Sequence, residues 1–373
     1  MEDFANNFTT LDGYYAQPYR QVFRMNGWNT PSDYLEYVHP HWLKYEAPNP
    51  FMHHMLGVLY VIFMFSSLIG NGVVIYIFSS CKSLRTPGNF LVVNLAIFDF
   101  IMMLKTPIFI SNSFNEGPLY GRLGCEIFGI MGSISGIGAA VTNSAIAYDR
   151  YRTIAKPFDG KLSQGKVLML ILCIWMYAMP FTILPALEVW GRFVPEGYLT
   201  SCTFDYMGDT PAIKAFVACI FVYSYCIPMS MTAFFYSKIV GHVRDHENLL
   251  REQAKKMNVE SLRGNKDLAQ QSAEIRIAKV AIGIVVLFLL SWTPYAICAL
   301  ISAFGNRELI TPLVSMIPAL TSKTVACLDP WVYAINHPKY RLELQKKIPW
   351  FCIHEPDPPA ENASNASEKT QNA

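Results

Sequence analysis

Charge is scarce in this sequence. Asp, Glu, Lys and Arg make up 16% of its 373 residues, against roughly 25% in a soluble chain. That excludes a string of water-soluble domains, although the length would allow two or three at ~150 residues each. Net charge is nearly absent too: 30 basic side chains against 28 acidic ones leave +2, so bulk charge points to no nucleic-acid partner. Catalytic signatures are also missing. The chain has no P-loop, no His-Glu-x-x-His and no paired catalytic carboxylates, which argues against an enzyme. His39, His41, His53 and His54 have no clustered carboxylate or cysteine beside them and read as scattered surface histidines rather than metal ligands.

What is present is a set of long runs without charge. Met55 to Phe78, Ile127 to Tyr148, Val167 to Leu187, Ala215 to Ser237 and Val280 to Phe304 contain no Asp, Glu, Lys or Arg, and each is 21 to 25 residues long. A helix needs about 20 apolar residues to cross ~30 Å of hydrocarbon. Two further runs differ only by Asp99 and Lys105 in Phe90 to Phe114, and by Lys323 and Asp329 in Leu309 to Ile335. Helices satisfy their own backbone hydrogen bonds in lipid, so the expected fold is an all-α membrane protein, a seven-transmembrane helix bundle. The basic run Arg341, Lys346 and Lys347 against Tyr340, Leu342, Leu344 and Ile348 adds a short amphipathic cytoplasmic eighth helix on the membrane lipid. The chain divides into an N-terminal segment (1–53), the bundle with its eighth helix (54–347) and a polar tail (348–373).

Orientation follows from Lys and Arg in the short loops. Sixteen lie after spans one, three and five, against four on the other side, Arg122, Arg192, Lys214 and Arg307. The first set is expected to be cytoplasmic, with the N-terminus outside. The N-terminal segment lacks the apolar core of a cleavable signal peptide, so span one is expected to drive insertion. Asn7-Phe8-Thr9 is then a usable outer glycosylation sequon, whereas Asn362-Ala363-Ser364 and Asn365-Ala366-Ser367 lie inside and are read as unmodified. Of nine cysteines only Cys125 and Cys202 face the oxidising side, and they are expected to pair. Cys352 is either a palmitoyl anchor or a free thiol.

The intramembrane charges need a purpose, since each costs at least ~2.5 to 3.5 kcal/mol on insertion scales. Asp99, Asp329 and Asn71 are expected to form one polar network, either holding helices together or forming part of a moving element loosened by Pro330. Lys323 lies seven residues to the outer side of Pro330. Burial disfavours an ammonium, and a neutral amine can condense with an aldehyde. The alternative is a lysine paired to a buried acid.

Asp149-Arg150-Tyr151, Trp175, Pro228, Tyr236, Trp292-Thr293-Pro294 and Asp329-Pro330-Trp331-Val332-Tyr333 together resemble a rhodopsin-like G-protein-coupled receptor. With Lys323, the run Pro195 to Cys202 and His337-Pro338-Lys339, the chain from about 54 to 345 resembles an arthropod visual opsin. The resemblance implies 11-cis-retinal joined to Lys323 as a Schiff base, with Glu196 as its acidic partner. Where many vertebrate visual opsins carry a glutamate, three residues after Cys125, this chain has Phe128; Glu126 is two residues off. Trp292 and Tyr295 are expected to line the slot, ordinary core packing being the competing reading.

Lys105 lies twenty residues before Cys125, at the depth of such a pocket. A second cation there opposes protonation of the Schiff base, and an unprotonated imine absorbs in the ultraviolet. Ultraviolet-sensitive arthropod opsins resemble the chain in this lysine and in Ile146-Ala147-Tyr148. Three alternatives compete: Lys105 snorkels to the interface, pairs with Glu196, or is outweighed by Glu196 in a visible-absorbing bistable pigment. For signalling, Arg150 is expected to pair with Glu274, and Trp292 and Pro294 to move span six. Tyr236 and Tyr333 would stabilise the opened form. His337-Pro338-Lys339 and the segment Gly241 to Glu274 resemble opsins coupled to a Gq-type heterotrimeric G protein, and Ser364, Ser367 and Thr370 are candidate receptor-kinase sites for arrestin. The rival classes are a receptor for a diffusible ligand, which would not need Lys323, and a proton pump, for which Asp99 and Asp329 make a poor relay.

Overall fold

Prolines and polar caps set where the helices begin. Pro50, Pro87 and Pro211 open their helices, and the Asn49 and Thr210 side chains accept backbone N–H bonds at two of those starts. A first-turn proline lacks only an N–H that would have no helical partner anyway. The computed structural model describes residues 24–155, 161–257, 266–336 and 338–351, and leaves undescribed most side chains from 246 to 281 and those of 333–338. Asn7, His337, Cys352 and the tail sites lie outside the described residues, as do the side chains of Glu274, Tyr333 and Pro338.

In chain order the helices are α1 (Pro40–Leu43), α2 (Pro50–Ser80), α3 (Pro87–Leu104), α4 (Thr106–Phe114), α5 (Gly121–Ala155), α6 (Gln164–Ala178), α7 (Pro180–Ala186), α8 (Pro211–Phe221), α9 (Ile227–Met257), α10 (Lys266–Phe304), α11 (Pro312–Asn336) and α12 (Pro338–Lys347). Among the described residues six stretches, Pro50–Ser80, Pro87–Phe114, Gly121–Ala155, Gln164–Ala186, Pro211–Asp245 and Val285–Phe304, are long and apolar enough to cross a membrane. The seventh member, α11, carries Lys323, Asp329 and two internal prolines and packs against α10, α2 and α3.

The bundle is inside out by the standard of a soluble protein. On α2, Val58, Ile62, Phe65 and Ile69 form an exposed apolar stripe, while His53, Tyr60, Ser67 and Asn71 are buried. That pattern suits a helix facing lipid on one side and polar partners on the other. The prolines inside the bundle leave backbone carbonyls to be satisfied elsewhere. Pro330 has no N–H for the Ala326 carbonyl four residues back; the Asn71 amide (2.8 Å) and the Ser67 hydroxyl (2.9 Å) donate to it instead. Gly70 allows this contact, because a Cβ there would lie 2.9 Å from Pro330. The expected network is therefore divided. The Asn71 amide nitrogen serves Ser67 and Ala326 rather than the acids, while buried Asp99 and Asp329 interact with each other.

Span two is broken in the same way. Pro107 removes the bond to Met103, the Thr106 hydroxyl donates to that carbonyl at 2.6 Å, and Lys105 sits at the joint between α3 and α4. In the fifth span a π-helical turn, Val222–Cys226, joins α8 to α9, and the Pro228 carbonyl beyond it accepts from Ser144 at 2.7 Å.

One mouth of the bundle is covered. Strands β1 (Phe193–Glu196) and β2 (Ser201–Phe204) pair antiparallel, and the Cys125–Cys202 disulfide ties the hairpin to α5. Gly197, at φ +59°, turns the tip beneath residues of α11. The Asn26 amide donates to the Gly197 carbonyl at 2.9 Å, so the N-terminal segment closes over the hairpin. Two histidines read as surface residues are buried in this cap: His41 meets the Ile310 carbonyl at 2.8 Å, and His53 packs on Tyr198, ring centroids 5.3 Å apart. At the opposite mouth α12 stacks buried Tyr340 on Phe78 at 5.2 Å. No metal-binding group of His, Cys, Asp and Glu occurs among the described residues.

Candidate functional site

Beneath the hairpin lies a cavity of about 130 Å³. Phe193, Phe204, Phe288, Trp292 and Tyr295 supply aromatic wall. Three groups able to carry charge line it: Lys105, Lys323 and Glu196. All three side chains are buried, at 4%, 7% and 3% exposure, so Lys105 does not snorkel to an interface.

Each is held differently. Lys323, on α11, donates to the neighbouring Ser322 hydroxyl at 3.0 Å. Lys105 Nζ lies 4.1 Å from the centroid of the Phe128 ring, and Phe128 is packed behind the amine rather than in the cavity wall. Glu196, at the end of β1, accepts from the Tyr206 hydroxyl at 2.9 Å, the Ser201 hydroxyl at 3.3 Å and the Tyr295 hydroxyl at 3.4 Å. The Tyr295 hydroxyl also meets the Thr203 hydroxyl on β2. No ion pair among the described residues joins Glu196 to either lysine, yet its carboxylate acts electrostatically on both. Burial pushes the Glu196 carboxyl above the usual carboxylate range; Lys323, the Tyr206 and Ser201 hydroxyls and Lys105 pull the other way. Burial also pushes the Tyr206 phenol up, helped by the Glu196 charge, which keeps it a proton donor.

Glycines of α5 make room for these groups. Gly129, Gly132 and Gly136 all line the cavity, and a Cβ on each would collide with Phe193, the Lys105 amine and Trp292 respectively. Sequence reasoning placed none of these glycines in a pocket; their spacing of three and four residues on one helix face was the available signal. Ser322, Tyr206, Ser201 and Thr203 were missed as well.

Trp292 stacks on Phe288 at 5.8 Å and meets Tyr295 edge-on at 6.3 Å. Its helix is tied to α11 by the Ser291 and Thr324 hydroxyls at 3.2 Å. At the far mouth Arg150 Nη2 lies 3.6 Å from the adjacent Asp149 carboxylate, and the expected Glu274 partner falls outside the described side chains. The Tyr236 hydroxyl is buried with no hydrogen-bond partner among the described residues. Lys339 is exposed in the first turn of α12. Trp175 donates to the Asn94 side chain at 3.0 Å, and Glu126 pairs with Arg122 at 2.6 Å on the rim, away from the cavity wall.

Residues 70–333 match the family described as 7 transmembrane receptor (rhodopsin family). The chain is similar to the ultraviolet-sensitive opsin of Apis mellifera, at 60% identity over 92% of this chain and 93% of that one. It is similar to Opsin Rh3 of Drosophila melanogaster at 55%, covering 93% and 90%, and to the blue-sensitive opsin of Apis mellifera at 51%, covering 92% and 91%. The crystal structure of squid rhodopsin superposes with a TM-score of 0.81 at 33% identity, over 88% of this chain and 95% of that one.

Proposed function

Since the chain belongs to the rhodopsin family of seven-transmembrane receptors, and within it to the opsins, we propose that it is an ultraviolet-sensitive photoreceptor whose retinal is held by Lys323 and which activates a Gq-type G protein. The observation that carries this reading is an aromatic-walled cavity entered by a buried lysine on α11. The residues fit the group: the wall is apolar, glycines on α5 leave space a side chain would fill, and Lys323 opens on that space. Bound as a Schiff base in the 11-cis form, retinal supplies the light absorption and the change of shape to all-trans.

The chain's own residues do the rest. Hairpin and disulfide exclude water from the amine. Glu196 offers negative charge on the hairpin side, but its hydrogen bonds go to Tyr206, Ser201 and Tyr295, which hold it in place. Lys105 adds positive charge from the α3–α4 joint with no carboxylate ion-paired to it among the described residues, and so opposes a proton at Lys323. A dark form without that proton absorbs in the ultraviolet. The 60% identity with an ultraviolet-sensitive opsin, against 51% with a blue-sensitive one, favours the same reading. A visible-absorbing pigment is the second reading, and the Glu196 side chain in the cavity wall is what favours it.

Trp292 would pass the change of shape to α10, whose Pro294 weakens the helix two residues away. Outward movement of α10 uncovers the mouth near Arg150, where the buried Tyr236 hydroxyl can find a partner. Exposed Lys339, with His337-Pro338 just before it in the chain, would supply G-protein contacts, and the tail serine and threonine sites would meet receptor kinase and arrestin. The rhabdomere of a photoreceptor cell is the site this function implies, with the N-terminus outside.

The test is to express the chain, add 11-cis-retinal in darkness, fix the product with borohydride and illuminate a second sample. Support would be a light-sensitive absorption band, retinal on the peptide bearing Lys323, and light-dependent nucleotide exchange on a Gq-type protein. Absence of any pigment would remove the assignment.

A further inference from the structure

Two buried amines face one cavity, and the reading above uses only one of them for covalent chemistry. Lys105 reaches the cavity because the helix breaks at Pro107: the side chain leaves the α3–α4 joint and crosses the α5 face at Gly132, where the missing Cβ leaves room for the amine. It is as deeply buried as Lys323. Unlike Lys323, it has no hydrogen-bond or ion-pair partner among the described residues, and its nearest support is the Phe128 ring. An amine that is a cation at rest attacks a carbonyl carbon through its uncharged fraction, and no carboxylate among the described residues pairs with Lys105.

We propose that Lys105 is a second aldehyde-condensing amine, which takes a conjugated polyene aldehyde in this cavity when Lys323 is unavailable. The Lys105 Nζ lone pair adds to the aldehyde carbon, a proton moves from nitrogen to oxygen, and the hydroxyl leaves as water as the C=N bond forms. No oxidant or reductant is required. In the intact chain Lys323 takes the aldehyde and Lys105 remains the free cation. The two lysines therefore have exchangeable roles, one as anchor and the other as neighbouring charge. The proposal rests on the reading that the cavity accepts retinal.

The experiment compares the wild-type chain with Lys323→Ala and Lys323→Ala/Lys105→Met in membranes. Each is incubated with 11-cis-retinal in darkness, reduced with borohydride to fix any imine, and mapped by peptide mass spectrometry. The expected result is retinal on Lys323 in the wild type, on Lys105 in Lys323→Ala, and on neither position in the double variant. An intact Cys125–Cys202 peptide reports that the single variant is folded. A wild type labelled at Lys323 beside a folded Lys323→Ala chain unlabelled at Lys105 overturns the proposal and leaves the receptor reading standing. A wild type unlabelled at Lys323 sinks that reading, and Lys105 is then judged by its own peptide. Should Lys323→Ala fail to fold, the wild type is treated with the short conjugated aldehyde β-ionylideneacetaldehyde and then borohydride. A fixed adduct on Lys105 supports the proposal, and its absence where Lys323 is modified overturns it.

Discussion

The amine of Lys105 rests on the face of the Phe128 ring, 4.1 Å from its centroid. A ring face steadies a cation by ~0.5–2 kcal/mol but brings no negative charge, so the positive field of Lys105 in the cavity is left uncancelled by its nearest neighbour. Tyr206, Ser201 and Tyr295 occupy the one nearby carboxylate, Glu196. The cavity thus holds two amines and one carboxylate already engaged.

Gly132 is where this arrangement is most easily disturbed. Gly132→Ala puts a methyl group where the Lys105 amine lies. Displacing the cation should move part of the dark absorption from the ultraviolet to the visible. Gly165→Ala, with open space around it, should leave the spectrum unchanged. Dark spectra of the two reconstituted variants make the comparison.

Asn71→Ala removes a donor from the Ala326 carbonyl that Pro330 leaves free. An unmet buried group costs about 1–3 kcal/mol, so the thermal midpoint should fall. Ser67→Ala removes one of the two donors to that carbonyl, and the double variant should lose more than either alone. Additive losses would show that the two side chains do not share the acceptor.

Cys202→Ser opens a loop spanning 77 residues, for which a loss of about 2–5 kcal/mol is usual. The hairpin also closes the cavity, so hydroxylamine should reach the bound chromophore faster in darkness. A variant as resistant as the parent would mean that the N-terminal segment alone seals the mouth.

Glu196 sets a pH dependence. Its carboxyl is raised by burial, so between the ordinary carboxylate range and the raised value the folded chain holds a proton that the unfolded chain has already released. That contribution to stability is complete below the ordinary carboxylate range and is lost as pH rises through the raised value. Glu196→Gln has no proton to lose. The variant and the parent should melt alike in acid, and the parent should fall behind as pH rises from about 4.5. Parallel melting curves across pH would contradict this.

The spans were legible because hydrocarbon forbids charge: a run of 21 to 25 uncharged residues has few other uses. Lys323, Lys105 and the Cys125–Cys202 pair could be singled out because each breaks a local pattern, a charge inside an apolar run or a cysteine on the oxidising side, whereas Glu196 was reached only through the family resemblance of the run Pro195 to Cys202. What the sequence hid is set by contacts distant in the chain. The burial of His41 depends on residues 24–49 folding over the mouth to Ile310, and that of His53 on the hairpin residue Tyr198 packing against it. The engagement of Glu196 depends on Tyr206 and Tyr295, ten and 99 positions away. Asn71 was grouped with the acids by polarity, and only the geometry of Pro330 shows why a carbonyl needed it.

The dark spectrum of the wild-type chain with 11-cis-retinal, set beside that of Lys105→Glu, bears most directly on the claim that a second buried cation keeps Lys323 without its proton. The expected result is an ultraviolet band for the parent and a visible band for the variant. A parent already absorbing in the visible, or a variant whose band does not move, would contradict it.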